Sequence, residues 1–450
     1  MKLKNLPTLL ISFFFLSSCT QMIQQKPTTS VSSLSKNKNK PTYCLRKSKN
    51  DLAVFAHTAS STKLFYQLLS SKKIRKQKLS FIEKVSLLLL FQMNSRPDLS
   101  SPSSRLQVII AIKNGPPQFW DIHPPFKDVN KDQVYFPYLE GIEVLLKAYP
   151  SKRGLKRLGQ LLDYALPKKL KVDKELANNI FKNKLSFYQF PTFKEAFFKG
   201  AEPLKENESL PKLSFSHILK DYFSWKKRTR PQRNKALISK YLFSSQILTS
   251  KGLLRTKCNV DLSLYKHSIF LIGQENTSAN LFGLKNKEGS YFIGTSSQTL
   301  KGPLRPLLNS FLIKGQPSQK TPALCLVHNA QRNSNLTLIS YKGRDPGQHL
   351  YNLIKRGVHY SGSLMDLDIF LKSPRKLFLV NPLRVLIEPL GNEEKNFQKY
   401  RNKNIPLYPV RKLGSIMAYG KFPLRQQDGF VLDKRSSERL SCLEQKMDPP

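Results

Sequence analysis

Residues of the types used most in acid–base and nucleophilic catalysis are sparse in this chain. It has 7 histidines in 450 residues. His328 and His349 could be paired with Asp345 or a nearby serine for nucleophilic catalysis, although no G-x-S-x-G elbow is present. The chain also lacks an H-E-x-x-H pair, a Walker loop and a dinucleotide fingerprint. The sequence therefore gives no reason to expect a metal or a cofactor.

A second group of residues could bind anions. Tyr222, Phe223 and Trp225 are followed by a basic segment, Lys226, Lys227, Arg228, Arg230, Arg233 and Lys235. Interleaved rings and cations suit base stacking with phosphate contact, or insertion at a membrane interface. The alternative is a solvated helix end beside a core aromatic cluster. No base-reading motif accompanies the charges, so nucleic acid is not the expected partner.

The net charge of the whole chain is +45 at pH 7. Such an excess favours polyanionic partners such as anionic lipid, lipopolysaccharide or a phosphate-bearing polymer. The alternative is a lysine bias spread over a solvated surface.

The amino-terminal segment has the form of an export signal. Lys2 and Lys4 precede an apolar run from Leu6 to Leu16. A helix of that length spans roughly 16 Å, about half of a bilayer core, which is typical of a signal peptide rather than an anchor.

Leu16-Ser17-Ser18-Cys19 resembles the lipobox of bacterial lipoproteins. The resemblance implies cleavage after residue 18 and lipid attachment at Cys19, and Thr20 after the cysteine implies the outer membrane. Residues 20–42 are polar and read as a flexible tether. We therefore expect a lipid-anchored protein of the bacterial cell envelope, with the membrane or another envelope protein as partner.

Four further cysteines, Cys44, Cys258, Cys325 and Cys442, permit two disulfides in an oxidising compartment. Three pairings are open. Their wide spacing excludes a zinc ribbon.

Hydrophobic periodicity divides the chain near residue 210 and predicts a mixed α/β fold. Residues 43–210 read as a mainly helical domain, with Leu139, Ile142 and Leu145 on one helical face and a strand at 108–112. Residues 211–450 alternate strands and helices, including a helix from Pro346 to Arg356 that Asp345 can cap and Gly357 can end. No later run is long enough to span a membrane.

The carboxy-terminal half resembles a degenerate phospholipase D-like domain, whose two lobes each carry H-x-K-x4-D followed by G-S-x-N. The hairpin from Asn280 to Ser297 and the segment Tyr419-Gly-Lys421 to Asp428 stand where these motifs would be. The resemblance implies two lobes facing each other, with Lys421 and Asp428 as the candidate catalytic residues.

The departures from that family are large. Asn280 and Tyr419 occupy the places of its two histidines, and neither an amide nor a phenol replaces imidazole as nucleophile or acid near pH 7. We therefore expect a non-catalytic protein that binds an anionic envelope component through Lys226, Lys227, Arg228, Arg230 and Lys421. The alternatives are a phosphodiesterase with substituted catalytic residues and a structural scaffold of the envelope.

Overall fold

In the computed structural model, the described residues are 52–56, 59–124, 135–167, 169–228, 236–249, 251–267, 277–303, 313–316, 321–380, 383–388, 404–433 and 435. Contacts divide the chain into Met1–Pro41 and Thr42–Pro450. All of the described residues belong to the second unit.

Two antiparallel sheets form the centre of this unit. The first sheet has six strands in the order β1 (Leu52–Phe55), β12 (Asn280–Asn286), β13 (Tyr291–Ser297), β2 (Arg105–Ala111), β3 (Gln118–His123) and β8 (Leu237–Ser239). It takes strands from both sides of the boundary predicted at residue 210.

The second sheet is built entirely from the carboxy-terminal half. Its strand order is β22 (Gln427–Leu432), β21 (Ser415–Phe422), β17 (Ser334–Gly343), β16 (Ala323–Asn329), β10 (Gly252–Cys258) and β9 (Phe243–Thr249). The short strand β11 (Thr277–Ser278) pairs with the end of β17 at Lys342 and Gly343. The chain therefore passes from the second sheet to the first between Ser278 and Asn280.

The two sheets pack face to face through side chains that alternate along their strands. Ile109, Leu281 and Ile293 of the first sheet meet Ile339 and Met417 of the second in one buried cluster. Because successive side chains of a strand point to opposite faces, the other face of each sheet is free to pack on helices.

Helices of the amino-terminal half cover the outer face of the first sheet. They are α1 (Ala59–Ser70), α2 (Lys72–Arg75), α3 (Phe81–Ser95), α4 (Pro137–Ala148), α5 (Leu155–Ala165), α6 (Lys174–Lys182), α7 (Lys184–Tyr188), α8 (Pro191–Phe197) and α9 (Phe215–Arg228). The predicted face of Leu139, Ile142 and Leu145 is fully buried in this layer. The densest apolar run of the sequence, residues 87–91, forms the centre of α3 and is fully buried.

The outer face of the second sheet is covered by α11 (Pro346–Lys355) and α12 (Leu364–Lys372), while α10 (Leu264–His267) is a single turn. The predicted caps of α11 are confirmed. The Asp345 side chain accepts a hydrogen bond from the Gln348 backbone N–H at 3.1 Å, and Gly357 has a φ of 93° just after the helix. Four layers result, in the order helix, sheet, sheet, helix.

The remaining strands form small sheets at the periphery. They are β4 (Lys169–Lys171) with β7 (Ser209–Pro211), β5 (Phe198–Lys199) with β6 (Glu202–Pro203), β14 (Thr299–Pro303) with β15 (Ile313–Gln316), and β18 (Lys376–Val380) with β19 (Leu383–Ile387) and β20 (Leu407–Pro409). Among the described residues, no helix is long and apolar enough to cross a membrane.

The mixed α/β class is confirmed, but the two-lobed arrangement is wrong. Asn280 begins β12 of the first sheet, whereas Tyr419 lies in β21 of the second. The two sheets stack on each other as layers of one sandwich instead of forming two similar lobes around a cleft.

Candidate active site

A buried group of hydroxyl and amide side chains lies where β12 begins and β13 ends. We call it the hydroxyl–amide cluster: Gln92, Ser100, Ser101, Ser103, Asn280, Ser296 and Gln298. Each member is less than 10 % exposed, and Ser100 and Asn280 are fully buried. Three segments bring the cluster together: the end of α3, the loop between α3 and β2, and the β12–β13 hairpin.

Ser100 is at the centre of the cluster. Its Oγ lies 2.5 Å from the Oγ of Ser296, and the Asn280 Nδ2 donates to it at 2.8 Å. The same Asn280 nitrogen donates to the Gln92 Oε1 at 2.9 Å. The hydroxyl of Ser100 is therefore held from two sides by neutral polar groups.

Gln298 anchors the other half of the cluster to the loop. Its Oε1 accepts from the Ser101 Oγ at 2.7 Å, and its Nε2 donates to the carbonyl oxygens of Pro97 and Asp98 at 3.1 and 3.0 Å. These bonds fix the loop against the end of β13.

A buried ion pair supports the same loop. The Arg96 Nε and Nη2 donate to the two carboxylate oxygens of Asp98 at 2.9 and 2.8 Å. Although burial disfavours the charged form, the negative charges of Asp98, Asp173 and Glu175 raise the pKa of Arg96 above its ordinary value. The guanidinium stays charged, and the Asp98 carboxylate is occupied by it and by Asn179, whose Nδ2 lies 2.6 Å away.

The cluster is not fully satisfied. Asn280 Oδ1 and Gln92 Nε2 are buried without a hydrogen-bond partner among the described residues. Each such atom costs roughly 1–3 kcal/mol, and native proteins keep few of them. A buried polar cluster that stability alone would not select is a candidate for function, and its amide and hydroxyl groups are suited to binding an amide or an oxyanion.

No side-chain base contacts the two central hydroxyls. Among the described residues, the hydrogen-bonding partners of Ser100 and Ser296 are each other, Asn280 and Tyr138. No group of three or more His, Cys, Asp or Glu side chains in the described ranges could hold a metal ion.

Solved structures of two proteins share this four-layer arrangement. A cephalosporin acylase from Bacillus halodurans has a TM-score of 0.57 at 10% identity, over 92% of this chain and 97% of the acylase. LmbA2991HD has a TM-score of 0.58 at 9% identity, over 89% and 98%, and a second structure of LmbA2991 gives 0.58 at 8% over the same shares. These structural neighbours are Ntn-hydrolase fold proteins, and the likeness shows that this chain shares their fold. No protein family model matches its sequence, and no curated protein is significantly similar to it.

The phospholipase D resemblance is therefore wrong. Asn280 and Tyr419 are not catalytic positions of two facing lobes: Asn280 belongs to the hydroxyl–amide cluster, while the Tyr419 ring stacks on Tyr291 with centroids 4.1 Å apart. Lys421 donates to the Asn114 Oδ1 at 2.9 Å, and Asp428 forms an ion pair with Lys285. Lys421 and Asp428 lie opposite each other on β21 and β22, and each has a different partner.

The expectation of a non-catalytic binding protein or envelope scaffold falls with that resemblance. It was drawn from substituted positions in a fold that this chain does not have, and the fold that it has is that of an acylase. The lipoprotein identification does not stand either, because the structural neighbours are acylase-fold proteins. Its lipobox and Cys19 lie outside the described residues, and the envelope localisation stays a prediction.

The predicted anion-binding segment is largely structural. The Tyr222 ring is fully buried and its hydroxyl donates to Glu143 at 2.6 Å, while Trp225 packs edge-on against Phe136. Lys226 forms an ion pair with the same Glu143 at 2.5 Å. Lys227 is exposed at the end of α9, and the Arg228 side chain and Arg230 lie outside the described part. The cleft that Lys421 lines includes neither Lys226 nor Lys227.

Two of the four predicted disulfide cysteines are joined. Cys258 on β10 and Cys325 on β16 face each other in register and form a disulfide. Cys44 and Cys442 lie outside the described residues.

Sequence reasoning did not find the hydroxyl–amide cluster. Its members are serines, glutamines and an asparagine spread over residues 92–298. Asn280 and Ser296 were noted only as part of the degenerate phospholipase D-like hairpin, and the other members belong to no motif. The one available signal was Ser100-Ser-Pro-Ser-Ser104, four serines in a loop that directly precedes a strand.

Proposed function

We propose that this chain is an acylase-type amide hydrolase with a hydroxyl nucleophile at the start of the segment formed by β11 and β12. The single observation that carries the proposal is the likeness to a cephalosporin acylase, which extends over 97% of that chain and includes all four layers. The hydroxyl–amide cluster supplies the candidate site within this fold.

A hydroxyl nucleophile needs a base, and the described partners of Ser100 and Ser296 are neutral. An amino-terminal threonine or serine can use its own α-amino group as that base. Thr277 and Ser278 are hydroxyl residues at the start of β11, and the cluster member Asn280 follows two residues after Ser278. Cleavage of the chain directly before one of them supplies nucleophile and base together.

The proposed reaction is acyl transfer to that hydroxyl followed by hydrolysis. The hydroxyl oxygen bonds to the amide carbon of the substrate, the C–N bond breaks, and the amine leaves with the proton that the α-amino group took. Water then hydrolyses the ester to the free acid. The Gln92 Nε2, a buried donor without a partner among the described residues, is the candidate donor to the oxyanion of each step. The Asn280 Nδ2 holds the Gln92 amide and the Ser100 hydroxyl in place.

Chain cleavage is the first test. Cleavage before Thr277 leaves pieces of 276 and 174 residues, joined by the Cys258–Cys325 disulfide. Intact-mass measurement of the purified full chain after treatment with a thiol reductant resolves them. Thr277→Ala or Ser278→Ala should leave the chain intact, whereas Ser186→Ala, an exposed serine on α7, should not. An uncut wild-type chain of full mass contradicts the proposed nucleophile.

Turnover is the second test, with p-nitroanilides of neutral and acidic acyl groups as substrates. Asn280→Ala should lower kcat by about 10²–10³, the effect of losing one oxyanion donor, because the Gln92 amide and the Ser100 hydroxyl lose the side chain that holds them. Its far-ultraviolet circular dichroism should match that of the wild type. If no substrate releases nitroaniline, or if Asn280→Ala leaves kcat unchanged, the cluster is not the active site.

A further inference from the structure

A large cleft opens at the end of the sandwich opposite the hydroxyl–amide cluster. Its volume is about 1500 Å³, and it lies where the two sheets diverge near the β12–β13 turn. Asn335, at the cleft, and Lys342, beside β11, are seven residues apart on β17, which corresponds to roughly 23 Å of strand. The cleft and the cluster are therefore separate sites.

The alternation of side chains explains why this end is polar. Along the inner face of the second sheet, Leu324 and Ile339 belong to the buried cluster between the sheets. The next opposed pair of β16 and β17 on this face, towards the cleft, is Leu326 with Thr337, and the pair after it is His328 with Asn335. The same face thus changes from apolar core to polar wall as the sheets separate.

Five cationic side chains line the cleft: Lys240, Lys251, Arg255, Lys257 and Lys421. The described lining residues include no aspartate or glutamate. A cavity walled by one sign of charge concentrates the opposite charge, because its low-dielectric walls focus the field.

The positive charges of the cleft are not neutralised within the part of the chain that the structure describes. Lys240 lies over the Trp120 ring at 3.6 Å and Lys251 over the Tyr360 ring at 4.5 Å, and both rings are neutral. Lys421 donates to the neutral Asn114 amide.

The remaining two cations, Arg255 and Lys257, are exposed on β10, with no ion pair to a described residue. Asp428 lies opposite Lys421 in the register of β21 and β22 and is the nearest acidic residue on a neighbouring strand. Its carboxylate is already bound by Lys285. The charge of Lys421 is therefore available to a ligand.

The spacing of the cations indicates the shape of that ligand. Arg255 and Lys257 lie on β10 and Lys421 on β21, with β16 and β17 between them. Three strand spacings place these groups roughly 14 Å apart across the sheet. The cleft is also larger than the ~300–1,000 Å³ of a typical small-molecule pocket.

We infer that this cleft binds an extended polyanion, a linear ligand whose phosphate groups contact Arg255 and Lys257 at one end and Lys421 at the other. A single phosphate contacts the cations at one end only, so it should bind more weakly than a linear ligand that contacts both ends. The site is independent of the proposed hydrolase activity, since it is recognised by charge and lies at the other end of the sandwich.

The test is binding of defined linear polyphosphates to the full chain, measured by calorimetry at fixed ionic strength. The probes are inorganic phosphate, tripolyphosphate and a chain of about ten phosphates, which exceeds the 14 Å span. Arg255→Gln/Lys257→Gln removes two cations from the cleft. Lys156→Gln/Arg157→Gln removes two exposed cations from α5 and is the matched control.

We expect affinity to rise from phosphate to the longest chain. The cleft variant should weaken binding of that chain about tenfold, as expected for two exposed charge contacts of about 0.7 kcal/mol each. The control should change it less than the cleft variant. Lys421→Gln should weaken the long chain more than tripolyphosphate, because only the long chain reaches both ends.

Three outcomes overturn the inference. Equal losses in the cleft variant and the control mean that net charge alone attracts the ligand. Equal affinities for phosphate and the long chain contradict an extended site. Tighter binding of an oligoglutamate of the same length contradicts the assignment to phosphate.

Discussion

At the scale of single residues, the buried carboxylate of Glu83 shows how this chain uses its few acids. Its Oε2 accepts from the Ser80 backbone N–H at 2.9 Å, which completes a capping box at the start of α3. Its Oε1 accepts from the backbone N–H groups of Lys152 and Arg153 at 2.9 and 2.8 Å. One side chain thus fixes a helix start and the turn between α4 and α5.

We expect Glu83→Gln to lower the free energy of unfolding by about 1–3 kcal/mol, because a neutral amide accepts these bonds less well and brings an N–H without a partner. Burial acts to raise the pKa of Glu83, but the backbone hydrogen bonds outweigh it, so its pKa is below 4.5. The stabilisation is then present above that pH and is lost as the pH falls through the lowered pKa. Urea unfolding at several pH values checks this.

The matched control for that prediction is Glu195→Gln on the exposed face of α8, which should change stability little at any pH. If the difference in unfolding free energy between the wild type and Glu83→Gln stays constant down to strongly acidic pH, the ionised carboxylate is not what stabilises the fold.

At the scale of elements, the disulfide joins two central strands of the second sheet. Cys258 and Cys325 are fully buried on the face that packs against α11 and α12, and 67 residues separate them in sequence. In an uncut chain the bond closes a long loop that includes β11, β12 and β13, so it constrains the unfolded chain strongly.

In a chain left uncut, replacing both cysteines by alanine should cost about 4 kcal/mol, the entropy of closing a loop of this length. If the chain is cut before Thr277, the bond instead holds the two pieces together, and its loss should destabilise the protein as well. Urea unfolding with and without a thiol reductant measures it. The reductant should destabilise the wild type and leave the Cys258→Ala/Cys325→Ala variant unchanged; equal effects on both proteins would mean that the bond contributes little.

The packing of α11 buries a histidine in a positive environment. Burial, together with the charge of Arg375, lowers the pKa of His349 from 6.5 to about 3. Between these values the unfolded chain binds a proton that the folded chain does not, so stability falls as the pH drops from 6.5 towards 3.

The wild type should lose up to about 1.4 kcal/mol of unfolding free energy per pH unit through His349 in this range, and His349→Gln should abolish that part of the pH dependence. Denaturant unfolding at pH 7, 6, 5 and 4 compares the slopes. His217→Gln, a change on the exposed face of α9, is the control and should keep the wild-type slope. An unaltered slope in His349→Gln would show that other groups carry the acid sensitivity.

At the scale of the whole molecule, charge is the dominant feature. A net charge of +45 makes the folded chain repel itself, and salt screens that repulsion over a Debye length of about 8–10 Å. The same excess charge leaves cations such as Arg255 and Lys257 without a carboxylate partner in the described part, and the cleft gathers several of them.

We therefore expect the free energy of unfolding in urea to rise when sodium chloride is increased from low to moderate concentration. The Lys156→Gln/Arg157→Gln variant should start more stable at low salt and gain less from added salt. A stability that falls with salt would mean that attractive ion pairs such as Arg96–Asp98 and Arg375–Asp433 outweigh the repulsion.

Local signals in the sequence predicted elements of both helix layers correctly. The apolar face of Leu139, Ile142 and Leu145 is buried in α4, and Asp345 and Gly357 bound α11 within a residue of the expectation. Such features depend on neighbours three or four positions away, so they can be read from the chain directly.

The sequence by itself determined the helices, the strand-rich carboxy-terminal half, the positive charge and the four cysteines that can form disulfides. Only the tertiary structure decided that β1, β2 and β3 join β12 and β13 in one sheet, and that Gln92, Ser100, Asn280 and Ser296 meet in one buried cluster. It also set Cys258 against Cys325. Pairing between strands some 180 residues apart leaves no periodic pattern in the sequence, because the apolar side chains of a strand can pack against any apolar face. The packing of the whole unit selects which strands pair.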